Sequence, residues 1–391
     1  MRKLAVGRWQ LTVCLLFLAA RIPLLFVRQP FFDELFTRWI SAKSFAGIVD
    51  ALRYDSGPPL YYWLLQLLGD PPLLVMRALS LLFAAIAFAV VLKMRVEAAA
   101  LLAVFPPAVL LSVDARAYAL CAMFVALAIL ALESDRPWTA AAMLVLAAYS
   151  HYYGVLFFPL LWKQWRALAV TIVLFIPGFW LAAHQPAGAR QWMSLAWPHA
   201  LFVRPPVVLA IIACVATAAA AVGGRSGRRY MPMTLAPLVL AIVLGVYVPL
   251  RFESVIAVPL ALWLAPAKRV ILIPLGVAFA AWTALGIIDH AQRPLDDYRA
   301  AAAYVARMNE PVVASGYLYL ETIMLRPAIA FPPEQAQHPG WRAVAQSGSG
   351  LPSTAFIWIG ERNAPELSLI RRARRIDVLC ANARAIVVKV H

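Results

Sequence analysis

Two adjacent carboxylates, Asp33 and Glu34, follow the first apolar stretch of the chain, in the segment Phe31-Phe32-Asp33-Glu34-Leu35. Acidic residues are scarce in this protein, since Asp and Glu together number 19 in 391 residues. A carboxylate in such a position can accept a proton from a hydroxyl group or hold a metal ion. The alternative is a structural role at the start of a helix, where acidic side chains interact favourably with the helix dipole.

The amino-acid composition defines the class of protein. Hydrophobic residues make up 63% of the chain and charged residues 14%, compared with roughly 45–50% and 25% in soluble domains. These values predict a polytopic α-helical membrane protein. The net charge of +16 does not indicate nucleic-acid binding, because Lys and Arg fall in short clusters between apolar stretches, as the positive-inside rule describes. We therefore expect lipids and lipid-linked molecules as partners, and no nucleic acid.

Basic clusters and the lengths of the apolar stretches predict the topology. Basic residues precede the first span at 10–27, which places the N-terminus in the cytoplasm. A cleaved signal peptide shows a similar pattern, but the many later apolar stretches favour a retained anchor. Counting onward predicts about eleven transmembrane helices in a multi-pass protein, and the short aromatic-rich segments 35–50 and 58–68 are expected to be interfacial helices.

The character of the sequence changes near residue 289. Polar residues become frequent there, and a helix is expected at 296–308. The apolar runs shorten to strand length, at 311–316, 355–360, 374–380 and 385–390. We therefore expect a transmembrane domain over residues 1–288 and a small α/β domain over residues 289–391. The order of the predicted spans places the second domain outside the cytoplasm.

Most candidate binding residues fall at the same end of the predicted spans. Ionisable residues in or beside a membrane are costly, and they mark functional sites by default. Arginine binds phosphate through a planar set of donors, and a tyrosine ring can stack on a sugar. The candidates for an anionic, hydroxyl-bearing ligand are Asp55, Tyr61, Arg77, Arg116, Tyr118, His151 and Arg251, beside the acidic pair Asp33 and Glu34.

Each of these residues also has a structural interpretation. The tyrosines could belong to the aromatic belt at the membrane surface, and Arg77 could extend its side chain to the interface. Asp114 and Arg116 could form a local ion pair at a helix end. His151 could cap a helix or complete a hydrogen bond in the core. The shared side and depth of these residues, rather than any single one, favour a binding site.

Sequence motifs of several other chemistries are absent. The chain contains no Gly-Lys-Ser/Thr phosphate loop, no His-Glu-x-x-His and no Cys-x-x-Cys. A nucleotide-driven pump or a cysteine metal site is therefore not indicated.

Six short segments resemble, in the same order, membrane glycosyltransferases of the GT-C superfamily, and above all the bacterial group of protein O-mannosyltransferases and lipid A aminoarabinose transferases. The segments are Asp33-Glu34, Pro58-Pro59-Leu60-Tyr61-Tyr62, Met76-Arg77-Ala78-Leu79-Ser80, Asp114-Ala115-Arg116-Ala117-Tyr118-Ala119-Leu120, Ser150-His151-Tyr152-Tyr153 and Arg251-Phe252. Three positions depart from the pattern of that group: Gly57 replaces a frequent His, Asp114 replaces Glu, and Phe252 replaces Tyr.

The resemblance implies a GT-C fold and an inverting glycosyltransferase of the bacterial inner membrane. Such an enzyme moves a sugar from a polyprenyl-phosphate-linked donor to an acceptor hydroxyl on the extracytoplasmic face. Asp33 would then be the general base, Glu34 would orient the acceptor, and Arg116 or Arg251 would stabilise the leaving phosphate.

The resemblance leaves the substrates open. The sugar could be a hexose or a pentose, and the acceptor a lipid, a glycan or a protein. No cofactor is required, although a divalent cation stays open. The alternative function is a flippase or polymerase of lipid-linked glycans, or a transporter, which would carry charges along a path across the membrane.

Overall fold

The structure of the protein, a computed structural model, describes residues 7–53, 57–185, 207–223, 225–292, 297–314 and 353–391. Contacts between residues divide the chain into two units. Unit 1 comprises Met1–Arg28 and Ser41–Gln292, and unit 2 comprises Gln29–Ile40 and Arg293–His391. The sequence did not predict that residues 29–40 would belong with the C-terminal residues. The predicted domain boundary after residue 288 stays a prediction.

Residues up to 292 are predominantly helical where the structure describes them. The α-helices are α1 (Arg8–Val27), α2 (Phe32–Ser41), α3 (Phe45–Leu52), α4 (Leu60–Gln66), α5 (Leu73–Met94), α6 (Val96–Val104), α7 (Pro106–Leu110), α8 (Tyr118–Glu133), α9 (Pro137–Ser150), α10 (Trp165–Leu174), α11 (Ile176–His184), α12 (Val207–Gly223), α13 (Met231–Val243), α14 (Arg251–Leu264) and α15 (Arg269–Gln292). Two 3₁₀ helices cover Tyr152–Leu161 and Arg225–Tyr230.

Three of the described helices, α1, α5 and the one that begins at Arg269, are long and apolar enough to cross a membrane. A fourth span results if α10 and α11, which are bent by 46° at their junction, form one broken span. Shorter apolar helices, including α8 and α9, accompany them. The protein is therefore helical with candidate membrane spans, and the predicted number of about eleven spans stays a prediction.

Helix α8 forms the centre of unit 1. It packs against α5, α9 and α14, and most of its side chains are buried, including Ala119, Ala122, Ala126 and Ala128. Small residues allow helix backbones to approach closely in an apolar environment. Close packing around α8 fixes the position of its first residue, Tyr118, which is one of the predicted site residues.

A double proline breaks the chain between α6 and α7. Pro106 and Pro107 open α7, and Phe105 before them has an extended backbone. Proline has no N–H to donate and disfavours a helical conformation in the preceding residue, so α6 ends at Val104. The chain then turns through residues 111–117 before α8 begins. These turns carry Asp114 and Arg116.

Unit 2 contains a four-stranded mixed sheet in the order β1-β2-β4-β3. The strands are β1 (Val312–Ala314), β2 (Phe356–Glu361), β3 (Ile376–Ala381) and β4 (Ala385–Val390). β1 pairs with β2 in parallel, whereas the other two pairs are antiparallel. The small C-terminal sheet predicted from the sequence is confirmed, with the last three strands within two residues of their predicted positions.

Helices cover both faces of this sheet. Helix α16 (Asp297–Val305) packs against the face of β2 that carries Ile357 and Ile359. Helix α17 (Pro365–Ala373) packs against the opposite face, which carries Phe356 and Trp358. Successive side chains of a strand alternate between faces, so the continuous apolar run of β2 predicts a central strand that is buried on both sides.

Candidate active site

Asp33 and Glu34 occupy the first turn of α2, in unit 2. The backbone N–H groups of Glu34 and Leu35 donate to the carbonyl of Phe31, at 3.0 and 3.2 Å. The predicted structural role at the start of a helix is therefore consistent with their location, because both carboxylates lie where the helix dipole favours negative charge. It does not account for their different burial, since the Glu34 side chain is 0% exposed whereas Asp33 is only partly buried.

Because they are buried to different degrees, the two carboxylates can take part in different interactions. A buried charged group costs free energy unless other groups compensate it, so Glu34 is suited to an interaction inside the protein. Asp33 keeps part of its surface accessible and can meet a substrate. Residues 29–40 are joined to the rest of unit 2 by Arg299, whose Nη1 donates to the carbonyl of Pro30 at 3.1 Å.

Tyr118, His151 and Arg251 come together in unit 1 from the ends of three helices. Tyr118 opens α8, His151 follows the last residue of α9, and Arg251 opens α14. The ring centroids of Tyr118 and His151 are 5.1 Å apart, and the guanidinium carbon of Arg251 lies 6.0 Å from the Tyr118 ring centroid. This distance is at the outer limit for an attraction between a cation and an aromatic ring.

Arg116 adds a second cation to this group. Its Nη1 donates to the hydroxyl of Tyr62 at 3.3 Å, and its charge acts on the His151 imidazole together with that of Arg251. Both arginines are only partly buried. Two like charges that converge on one ring produce a positive potential there, and such a potential attracts an anion. We call Arg116, Tyr118, His151 and Arg251 the arginine–aromatic cluster.

His151 also caps the helix that follows it. Its Nδ1 accepts a hydrogen bond from the backbone N–H of Tyr153 at 3.2 Å, at the start of the 3₁₀ helix. The capping interpretation is thus confirmed for Nδ1. Because Nδ1 is the acceptor, this bond assigns the proton of the neutral imidazole to Nε2. His151 can therefore cap the 3₁₀ helix through Nδ1 and donate a hydrogen bond through Nε2.

A buried ion pair joins the end of α1 to the turn before α8. Arg28 Nη1 lies 2.6 Å from Asp114 Oδ1, with 6% and 1% of these side chains exposed, and Arg28 also donates to the carbonyl of Leu110. Arg28 is not among the site residues predicted from the sequence. A signal for it exists, since Arg28 follows the outward end of the first predicted span, where the positive-inside rule disfavours a cation.

Arg77 and Tyr61 support this arrangement from α5 and α4. Arg77 Nη1 donates to the carbonyl of Arg28 at 2.8 Å and to that of Leu25 at 3.4 Å, at the end of α1. The Tyr61 hydroxyl lies 2.9 Å from Ser80 Oγ, and both side chains are buried. Through these hydrogen bonds, Arg77 and Tyr61 bind groups of the protein itself. The remaining predicted site residue, Asp55, lies outside the described residues.

Metal binding was left open by the sequence. Within the described residues, no group of three or more His, Cys, Asp or Glu is arranged to hold a metal ion. The expectation that no cofactor is required stays a prediction.

The fold places the chain in a known structural class, although sequence comparison does not. No family model matches the chain, and no curated protein sequence matches it. The fold is similar to that of a solved membrane protein, with a helical part and a small C-terminal sheet. The resemblance to the GT-C superfamily predicted from the six segments is thereby confirmed at the level of the fold.

The solved structure that carries this comparison is ArnT from Cupriavidus metallidurans bound to undecaprenyl phosphate. It matches with a TM-score of 0.57 and 11% identity over 98% of each chain. ArnT is a lipid A aminoarabinose transferase, a glycosyltransferase. The same protein in its apo state matches with a TM-score of 0.45 and 13% identity over 97% of each chain. At such identity the likeness defines the fold alone.

Proposed function

We propose that this protein is a glycosyltransferase of the bacterial inner membrane that uses a polyprenyl-phosphate-linked sugar as its donor. The observation that carries the proposal is the group of Arg251, Tyr118 and His151, with Arg116 near enough for its charge to act on the same imidazole. Guanidinium groups match the geometry of phosphate oxygens, and aromatic rings offer a face to a sugar. The similarity of the whole chain to ArnT, which binds undecaprenyl phosphate, supports the same ligand class.

The proposed reaction is a single displacement at the anomeric carbon. The acceptor hydroxyl attacks this carbon and gives its proton to the Asp33 carboxylate, while the bond between the anomeric carbon and the phosphate oxygen breaks. Attack opposite the leaving group inverts the configuration. The phosphate takes the bonding electron pair and gains negative charge, which Arg116 and Arg251 stabilise.

Asp33 suits the role of base better than Glu34. A general base must come within hydrogen-bonding reach of the proton that it takes, and only Asp33 is partly accessible. Glu34 is fully buried, so we assign it an indirect role in orienting the acceptor or a neighbouring group. Because the donor is already activated by its phosphate linkage, the reaction needs no nucleotide.

The proposal includes the orientation of the chain. The N-terminus lies in the cytoplasm, and the site and the C-terminal α/β domain lie on the extracytoplasmic face, as the distribution of basic clusters predicts. The sugar is a hexose or a pentose, and the acceptor is a lipid, a glycan or a protein.

The test measures release of polyprenyl phosphate and transfer of labelled sugar by the purified protein in lipid nanodiscs. We expect Asp33→Asn to lower the rate by at least about a hundredfold, since general-base catalysis contributes 10²–10⁴-fold, without weakening binding of undecaprenyl phosphate. The control is Asp50→Asn on α3, because Asp50 is 70% exposed. A wild-type rate in Asp33→Asn contradicts its role as base.

The same assay separates the proposal from the flippase and transporter alternatives. A flippase or transporter moves the intact donor across the bilayer, so the sugar remains attached to its phosphate. A polymerase or transferase breaks that bond. Translocation of intact donor in proteoliposomes, without release of polyprenyl phosphate, would exclude the transferase.

A further inference from the structure

Arg21 is a buried cation inside α1, one of the candidate membrane spans. Its side chain is 1% exposed. Nη1 donates to the carbonyls of Ala103 at 2.9 Å and Phe17 at 3.3 Å, and Nη2 donates to those of Leu102 at 3.1 Å and Ala108 at 3.2 Å. A cation at such a place is costly and marks a functional residue by default. The arrangement of its acceptors indicates what Arg21 does.

The acceptors are backbone groups exposed by the double-proline break. A helix leaves its last four carbonyls without partners from the next turn, and here these are residues 101–104 of α6. The N–H of Phe105 reaches the first carbonyl, Arg21 reaches the next two, and Thr283 Oγ1 reaches that of Val104 at 2.8 Å. Unsatisfied carbonyls are strongly unfavourable in an apolar environment. Arg21 and Thr283 therefore make this break stable.

The charge of Arg21 suits the same position. The carbonyl end of α6 is the negative end of its dipole, which attracts a cation. Lysine would carry the charge but concentrates its donors on one nitrogen, whereas the guanidinium separates them in a planar fork. Only the fork matches carbonyls on both sides of the break, at Leu102 and Ala103 before it and at Ala108 after it.

The segment after the break is also held by Arg28, at the end of α1. Arg28 donates to the carbonyl of Leu110, the last residue of α7, and pairs with Asp114. Between the two arginines, Leu24 is fully buried against α7 and the turn beyond it. Arg21 and Leu24 share one face of α1, and Arg28 follows directly after its last residue. Together these residues hold the segment from the end of α6 to the end of α7.

We infer that Arg21 is a positioning residue for the arginine–aromatic cluster. By fixing the break, it fixes α7 and the turn at 111–117 from which Arg116 projects. Arg21 and Tyr118 also line the same cavity. The effect on catalysis rests on the proposed function, whereas the effect on the turn does not.

The experiment compares Arg21→Met and Arg21→Lys with the wild-type full-length protein in nanodiscs. Hydrogen exchange is followed in peptides that cover residues 105–117, and kcat and KM are measured for the labelled donor. The control is Arg8→Met, at the exposed start of the same helix. A second variant, Thr283→Val, removes one hydrogen bond from the same break and leaves every arginine in place.

In Arg21→Met we expect exchange at 105–117 to rise at least about tenfold, because hydrogen bonds from a charged group are lost, while α9 stays protected. We expect kcat to fall by about a hundredfold and KM to change little, as for a catalytic group moved by about 1 Å. Arg21→Lys should recover part of both effects. Thr283→Val should raise exchange in the same peptides by a smaller factor.

Three results would overturn the inference. Exchange at 105–117 could stay unchanged in all variants, or it could rise equally across unit 1, which would mean a general loss of stability. Activity could also persist at the wild-type level although the turn has loosened. If Arg21→Met is not folded, Thr283→Val decides by the same exchange pattern. Local loosening in a protein without transferase activity would refute the proposed function and retain the role of Arg21 in holding the turn.

Discussion

The helical unit and the sheet unit place their charged residues in different ways. In unit 1, Arg21, Arg28 and Asp114 are buried, and backbone carbonyls or an opposite charge receive them. In unit 2, the pair of Lys389 and Glu310 lies at the surface, with 34% and 44% of the side chains exposed. The difference shows that the buried charges of the apolar unit have partners supplied by the fold, whereas the sheet unit leaves this pair in contact with solvent.

The acidic pair is the exception in unit 2. Glu34 is the one charged side chain of unit 2 that is buried among its described residues. It lies next to Asp33, which keeps access to its surroundings. The buried charge of unit 2 is therefore the direct neighbour of Asp33, the proposed base.

The largest expected effect breaks the buried ion pair of unit 1. Asp114→Asn leaves the Arg28 cation buried beside a neutral group, so we expect a loss of about 3–5 kcal/mol in the free energy of unfolding. Denaturant unfolding in detergent, followed by tryptophan fluorescence, measures this loss. The control is Glu97→Gln, which removes an exposed pair with Arg95 and should cost less than about 1 kcal/mol. Equal losses in both variants would mean that burial does not distinguish the pairs.

The second effect concerns catalysis rather than stability. Arg116→Gln and Arg251→Gln should each lower kcat by about 10²–10³-fold, equivalent to about 2.7–4 kcal/mol, if they stabilise the developing charge on phosphate. Both arginines are partly exposed, so the free energy of unfolding should change little. Arg136→Gln, at an exposed position, should behave like the wild type. A normal kcat in both site variants would assign the phosphate to another place.

A smaller effect tests a neutral buried contact of the same unit. Tyr61→Phe and Ser80→Ala each remove one partner of the 2.9 Å hydrogen bond between α4 and α5. We expect a coupling energy of about 1 kcal/mol in a double-mutant cycle, as for a buried hydrogen bond between uncharged groups. Additive losses in the double variant would show that the two hydroxyls stabilise the protein independently.

The smallest effect lies in unit 2. Hydrogen bonds from its own backbone N–H and from Lys389, whose Nζ lies 3.3 Å away, lower the pKa of the Glu310 carboxyl. Such a group contributes stability above its unfolded pKa, and the contribution is lost as the pH falls through the lowered value. Glu310→Gln should therefore lower Tm slightly at neutral pH. The curves of Tm against pH should converge once the pH has fallen below the lowered pKa, and a constant separation would contradict this.

Much of the architecture is visible in the sequence. The high apolar content and the clustered cations indicate a helical membrane protein. The change of composition near residue 289 predicts the C-terminal sheet. Strands β2 and β4 follow from short apolar runs because a central strand is buried on both faces. The order of the six segments predicted the resemblance in fold, and the ArnT structure shares that fold at 11% identity.

The site could be predicted only in part. Tyr118, His151, Arg116 and Arg251 stand out because ionisable and aromatic residues at the ends of apolar spans are costly or specialised. Arg77 looked the same in sequence, yet it donates to carbonyls at the end of α1. Arg21 was overlooked, although a cation inside an apolar stretch was a signal for it. Residue type indicates that a charge needs a partner, but it does not indicate which one.

By itself, the sequence determined the class of protein, the places where helices break and the inventory of costly charges, because these depend on composition, proline and local hydrophobicity. Tertiary structure decided the partners. It paired Asp114 with Arg28 and directed Arg21 to the carbonyls at the double proline. It also assigned residues 29–40 to unit 2. Such choices depend on which distant segments pack together, and no local pattern of residues contains that information.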